Sequence, residues 1–109
     1  LVGKAQATRM MMLGEKIPAE EAERIGLIYK SVADEALMDE AKALAAKLAG
    51  GPTVALGEMK QTIRRGLEAD FSTTLQYEAE AQRVAGNSKD AMEGGMAFLQ
   101  KRKPEFKGA

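Results

Sequence analysis

A chain of 109 residues is about one domain long, and its 45% hydrophobic content supports a modest core that must be aliphatic, since aromatics make up only 5%. Lys plus Arg and Asp plus Glu both number 16, so the net charge is zero and no global field draws the chain to nucleic acid or an anionic membrane. Cys and His are absent, which removes disulfides, Cys/His zinc sites, thiol nucleophiles and every triad that needs imidazole.

A helical spacing runs through Val2, Ala5, Arg9, Met12 and Leu13, with Gly14 as the stop. Met10 and Met11 widen the apolar surface to most of the circumference, which predicts burial on several sides, either as plain core filling or as the wall of an apolar pocket. The pattern is already running by Val2 and the first residue is Leu1, so the chain reads as a piece of a longer polypeptide. No signal-peptide pattern opens it, and Met10 to Leu13, the longest run of large apolar side chains, is far too short to cross a bilayer. The lack of Cys fits a reducing compartment, and a cytoplasmic location is expected.

Pro18 suits the first turn of a short helix over 19–25, and Gly26 suits its left-handed cap, with Leu27 folding back onto Ala22. Ile28, Lys30 and Val32 alternate with Tyr29 and Ser31, which predicts a short extended segment. Asp34 is placed to cap the next helix, whose stripe is Leu37, Ala41, Leu44, Ala45 and Leu48; acids lead and lysines follow, as the helix dipole favours. Gly50-Gly51 ends it. Pro52 opens a helix with the stripe Leu56, Met59, Ile63 and Leu67 and a solvated basic face of Lys60, Arg64 and Arg65. Asp70 caps a further helix carrying Phe71, Leu75, Tyr77, Ala81, Val84 and Ala85, and Gly86-Asn87 breaks it. Ser88 caps the last helix, with Asp90 and Glu93 near its positive end. Pro104 ends the regular structure. The count is about six helices with tight Gly/Pro joints, an all-α chain without a repeat period. Several of its wide, Ala-rich stripes call for more partner surface than the chain supplies.

The last helix carries the most information. Met92, Met96 and Leu99 form one core-facing stripe, and Gly94, Phe98 and Lys101 share the same spacing on an adjacent face. Gly94 and Gly95 inside a helix cost roughly 1 kcal/mol each relative to Ala, which points to something approaching the backbone closely. Lys101-Arg102-Lys103 follows as a compact basic cluster. An aromatic ring three residues before a cation is a workable grip on an adenine nucleotide; equally, Phe98 could be core and the cluster could complement the helix dipole. No glycine-rich phosphate loop is present. Glu20, Glu21, Glu35, Glu68, Glu78 and Glu80 fit solvated helix faces, no metal site is expected, and nothing assembles catalytic machinery.

These residues have a resemblance. The stretch from Leu1 to Leu37, with its core in Leu13-Gly14, Ala19-Glu20-Glu21-Ala22 and Gly26-Leu27, is similar to the enoyl-CoA hydratase/isomerase (crotonase) family from after its active-site region into the C-terminal helices. The ending from Ser88 to Gly108 resembles the family's last helix and tail, through Glu93-Gly94, Ala97-Phe98, Lys101-Arg102, Pro104 and Phe106. Residues 80–95 look most like the phenylacetate-pathway branch, whose members isomerise a ring-epoxide CoA thioester. The resemblance covers essentially all 109 residues and implies a C-terminal helical trimerisation region whose β/α spiral core is absent. Residues 1–32 would be the end of that core and a joint, and residues 33–109 the helical oligomerisation part.

What the resemblance implies for function is an acyl-CoA thioester substrate, an enolate held in an oxyanion hole of two backbone N–H groups, and one or two carboxylates that move protons. Those devices belong upstream of Leu1, so no catalytic residue is assigned to this chain. Phe98 and Lys101 match the family's aromatic and lysine that reach a neighbouring subunit's CoA. Met11 and Met12 would lie near the acyl pocket. No prosthetic group is implied; coenzyme A enters as part of the substrate. The parent would be a homo-oligomer, a trimer or dimer of trimers, with no nucleic-acid or membrane partner. Pro18 departs from the family's usual Ser or Thr cap, and Gly95 stands where a branched or small apolar residue is usual. The alternative is a stand-alone helical protein-interaction module with no CoA role. A nucleic-acid module is disfavoured by the zero net charge and the few aromatics.

Overall fold

The computed structural model describes all 109 residues, Leu1–Ala109. Every regular element is helical: α1 (Gly3–Leu13), α2 (Ala19–Arg24), a single 3-10 turn (Asp34–Ala36), α3 (Leu37–Ala49), α4 (Thr53–Gly66), α5 (Phe71–Gly86) and α6 (Lys89–Leu99). Two compact units result, Leu1–Glu40 and Ala41–Ala109, with the division falling inside α3.

In the first unit, α1 stops at Gly14, whose φ of 61° lets its N–H reach the Met10 carbonyl at 3.2 Å. Helix α2 opens on Pro18, which has no side chain to cap with; its carbonyl accepts the Ala22 N–H at 2.9 Å. It closes in a complete Schellman motif, with Leu27 N–H to the Ala22 carbonyl at 2.8 Å and Gly26 N–H to the Glu23 carbonyl at 3.0 Å around Gly26 at φ 76°. The alternating segment after it forms no strand, because the chain offers no second strand to bond with. It is tethered instead by side chains: Ser31 N–H donates to Glu23 Oε2 at 2.7 Å, and Lys30 Nζ lies 2.8 Å from Glu40 Oε2. Asp34 opens the 3-10 turn rather than capping α3, since the Ala33 carbonyl takes the Ala36 N–H at 2.9 Å and Asp34 makes no capping bond. The expected burial of α1 is not supplied within the chain: Met11 and Met12 are 85% and 81% exposed.

In the second unit α4 and α5 form an antiparallel hairpin. The end of α4 meets the start of α5 at Gly66, where a Cβ would come within 3.1 Å of Thr74 Cγ2, so the glycine permits the approach. At the other end Ala55 and Met59 face Ala81 and Ala85 across an apolar groove of about 360 Å³. Arg65 lies 5.6 Å from the centre of the Tyr77 ring. Asp70 caps α5, Oδ1 accepting the Thr73 N–H at 2.7 Å. Met59, Ile63 and Leu67 of the α4 stripe are exposed. Among hydrophobic residues only Ala22 and Ala97 are buried.

Candidate functional site

The start of α6 is fixed by Ser88. Its Oγ accepts the Ala91 N–H at 3.1 Å and donates to the Ala85 carbonyl at 2.6 Å, joining the end of α5 to α6 through one side chain. The helix's rotation is set by Ala97, which is 1% exposed. A helical residue turns about 100° from its predecessor, so burying Ala97 swings Phe98 outward; Phe98 is 83% exposed and is not part of any core in this chain.

The helix ends one turn later in a second Schellman motif. Arg102 N–H reaches the Ala97 carbonyl at 3.0 Å and Lys101 N–H reaches the Phe98 carbonyl at 3.2 Å. The left-handed position, which Gly26 fills in the motif that ends α2, is filled in this one by Lys101 at φ 54°, the chain's one non-glycine residue with positive φ. A side chain there costs about 1–2 kcal/mol. Lys101 therefore sits at the apex of a sharp reversal three residues after the exposed Phe98, and none of the chain's ion pairs involves it.

Its neighbour in the basic cluster is committed elsewhere. The Arg102 guanidinium grips Glu93 with two bonds, Nη1 to Oε1 at 2.6 Å and Nη2 to Oε2 at 2.8 Å, and Nε donates to Gln100 Oε1 at 2.8 Å. Glu93 Oε1 also accepts the Glu105 N–H at 2.8 Å. Arg102's hydrogen bonds first, and the Glu105 amide second, hold the Glu93 carboxyl down from 4.5 to about 2.

Beyond Pro104 the tail runs back along α6. Phe106 lies over Gly94, where a Cβ would sit 3.6 Å from its ring, an ordinary van der Waals contact, so the approach is near but does not itself require a glycine. At Gly95 nothing apart from its chain neighbours and the helix's own nearby backbone comes within 4 Å of that position. Asp90 receives the end of the tail: Lys107 N–H and Gly108 N–H each donate to one carboxylate oxygen at 2.8 Å, and the Asp90 N–H reaches the Ala109 carbonyl at 3.1 Å. Asp90 is only 3% exposed, with both oxygens satisfied. From sequence alone, Asp90 has no more than a role beside the helix's positive end, and Glu93 adds to that only its place among the positions that carry the family resemblance. Their spacing of three places both on one face, but nothing local says that a tail returns to meet them.

Chemically, the end of α6 and the turn after it carry an exposed apolar ring, Phe98, and three residues on a lysine outside every ion pair, Lys101. A ring can stack a base and an ammonium can meet a phosphate. No set of acidic side chains converges to hold a metal ion, and no helix is long and apolar enough to cross a membrane.

A family model for enoyl-CoA hydratase/isomerase matches residues 1–109. The chain is 43% identical over 108 residues to a 1,2-epoxyphenylacetyl-CoA isomerase of Escherichia coli K12, covering 99% of this chain and 41% of that protein. It is also 43% identical over 107 residues to a probable enoyl-CoA hydratase of Rhodobacter capsulatus, covering 98% of this chain and 42% of the relative. The crystal structure of an enoyl-CoA hydratase from Bacillus anthracis superposes over 100% of this chain and 42% of its own, with TM-score 0.92 and 34% identity. The chain thus spans about two-fifths of the length of these relatives.

Proposed function

Because the chain belongs to the enoyl-CoA hydratase/isomerase family, we propose that it is the C-terminal helical part of an enzyme acting on acyl-CoA thioesters through an enolate held in an oxyanion hole. In that role it supplies oligomer contacts and a grip on the nucleotide end of CoA, and leaves the reacting groups to the rest of the parent protein. A soluble cytoplasmic setting suits such an enzyme.

What supports the grip is the 83% exposure of Phe98 and, three residues on, a Lys101 held in a left-handed conformation and free of ion pairs. A large ring left in water and a lysine held where glycine is cheaper are both costs, and a nucleotide would use both groups. The exposed Met59, Ile63 and Leu67 and the groove between α4 and α5 support the oligomer contacts. Residues 80–95 favour the epoxide-CoA isomerase branch, while equal identity to an isomerase and to a probable hydratase leaves the acyl group to be found by assay.

The test is the pair Phe98→Ala and Lys101→Ala in the full-length protein. Stacking of one base is worth about 1–3 kcal/mol and an exposed charge pair less than about 1 kcal/mol. The double substitution should therefore raise the dissociation constant for acyl-CoA about tenfold or more. Unchanged affinity would return the segment to a helical protein-interaction module with no CoA role.

A further inference from the structure

We propose that Glu93 is a positioning residue for this nucleotide grip: by clamping Arg102 and the Glu105 amide it holds the chain reversal at Lys101 and presents the Lys101 ammonium beside the Phe98 ring. This role rests on the grip proposed for Phe98 and Lys101 and adds to it the device that sets its geometry.

Lys101 is held in a conformation that its own side chain disfavours. Two backbone bonds of the Schellman motif favour it, but the same two bonds at Gly26 come with a residue that suits the position. The residues on either side of Lys101 must therefore over-determine it. On the helix side, Ala97 is buried and fixed. On the tail side the hold is Glu93. One carboxylate takes two of the guanidinium bonds of the residue after Lys101 and the N–H of Glu105, four residues past it. Two points of the outgoing chain are thereby tied to one side chain on α6, and the reversal between helix and tail can take only a sharp path. Asp90 anchors the tail further along, at Lys107 and Gly108, where it restrains the tail's end rather than the turn. Arg102 is consumed in this clamp, which leaves Lys101 and Lys103 as the cluster's free cations.

The gain is in preorganisation. Ordering one long, rotamer-rich side chain on binding costs about 0.5–1.5 kcal/mol, a factor of about 2–12 in affinity, and a turn already set lowers that cost. Arg102 cannot be replaced by Lys without loss at this position, because an ammonium has no planar fork to fill both carboxylate oxygens.

The test compares Glu93→Gln and Arg102→Lys with the unmodified full-length enzyme on two substrates: the acyl-CoA thioester and the matching acyl-pantetheine thioester, which lacks the nucleotide. The expected result is a rise in KM for the CoA thioester of about 2–12-fold with kcat little changed, and no change in KM for the pantetheine thioester. Arg102→Lys, which keeps one of the two bonds, should fall between Glu93→Gln and the unmodified enzyme. A parallel rise on both substrates, or a fall in kcat on both, would make Glu93 a plain structural residue and overturn the proposal. If Phe98→Ala with Lys101→Ala weakens CoA binding while Glu93→Gln does not, the positioning role fails and the grip stands. If neither weakens it, the grip fails and takes the positioning role with it.

Discussion

Lys101 and Gly26 occupy the same position in two copies of one capping motif, and the comparison isolates what a side chain costs there. Both reversals use the same pair of backbone bonds, so the difference lies in the residue at positive φ, 76° for Gly26 and 54° for Lys101. Replacing Lys101 by Gly removes about 1–2 kcal/mol of left-handed strain and gives back about 0.4–1 kcal/mol through the freer unfolded chain. Lys101→Gly should therefore stabilise the full-length protein by up to about 1.5 kcal/mol in denaturant unfolding, while weakening its hold on acyl-CoA. The opposed signs matter, because a lysine retained at a cost in stability has a use other than folding. A variant that is both less stable and equally good at binding would show that the side chain serves the fold instead.

Helix boundaries depend on residues within a few positions of one another, and that governs which are legible in the sequence. Gly14, Gly26, Asp70 and Ser88 act where the sequence places them, because capping and left-handed reversal are settled by the residue itself and its next two or three neighbours. Asp34 fails as a cap because the backbone of Ala33 closes a tighter 3-10 turn first. Ile28 to Val32 have the period of a strand, yet a strand is a property of two segments and this chain supplies one. Ser88 does more than its local pattern suggests, since its hydroxyl also bonds to Ala85 and so sets where α6 leaves α5. Ser88→Ala should cost the full-length protein about 1 kcal/mol of stability or somewhat more, measured by denaturant unfolding. A loss within a few tenths of a kcal/mol would mean that the α5–α6 joint is held by other contacts.

Across the chain, the family and the all-helical character are legible in the sequence, and the site only in part. The residues of the proposed grip can be named because their order matches a family's ending; the bonds from Glu93 to Arg102 and the Glu105 amide cannot. Glu93 meets Glu105 across twelve positions and Asp90 meets Gly108 across eighteen, and long-range bonds from carboxylates to backbone N–H groups leave no periodic trace. The wide stripes call for outside partners, and the structure agrees to the extent that α1, α3 and α4 keep Met11, Leu48, Ile63 and their neighbours exposed within the chain. If the chain is the C-terminal part of a larger enzyme, those faces are covered in the assembled parent and the tip of α6 is left for substrate. The most direct test is a crystal structure of the full-length protein with its acyl-CoA bound. The expected complex has the adenine ring stacked on Phe98 and a phosphate oxygen within about 4 Å of Lys101 Nζ, the ordinary reach of an ion pair. A complex with Phe98 and Lys101 packed inside a protein interface, and the nucleotide bound elsewhere, would contradict the nucleotide grip.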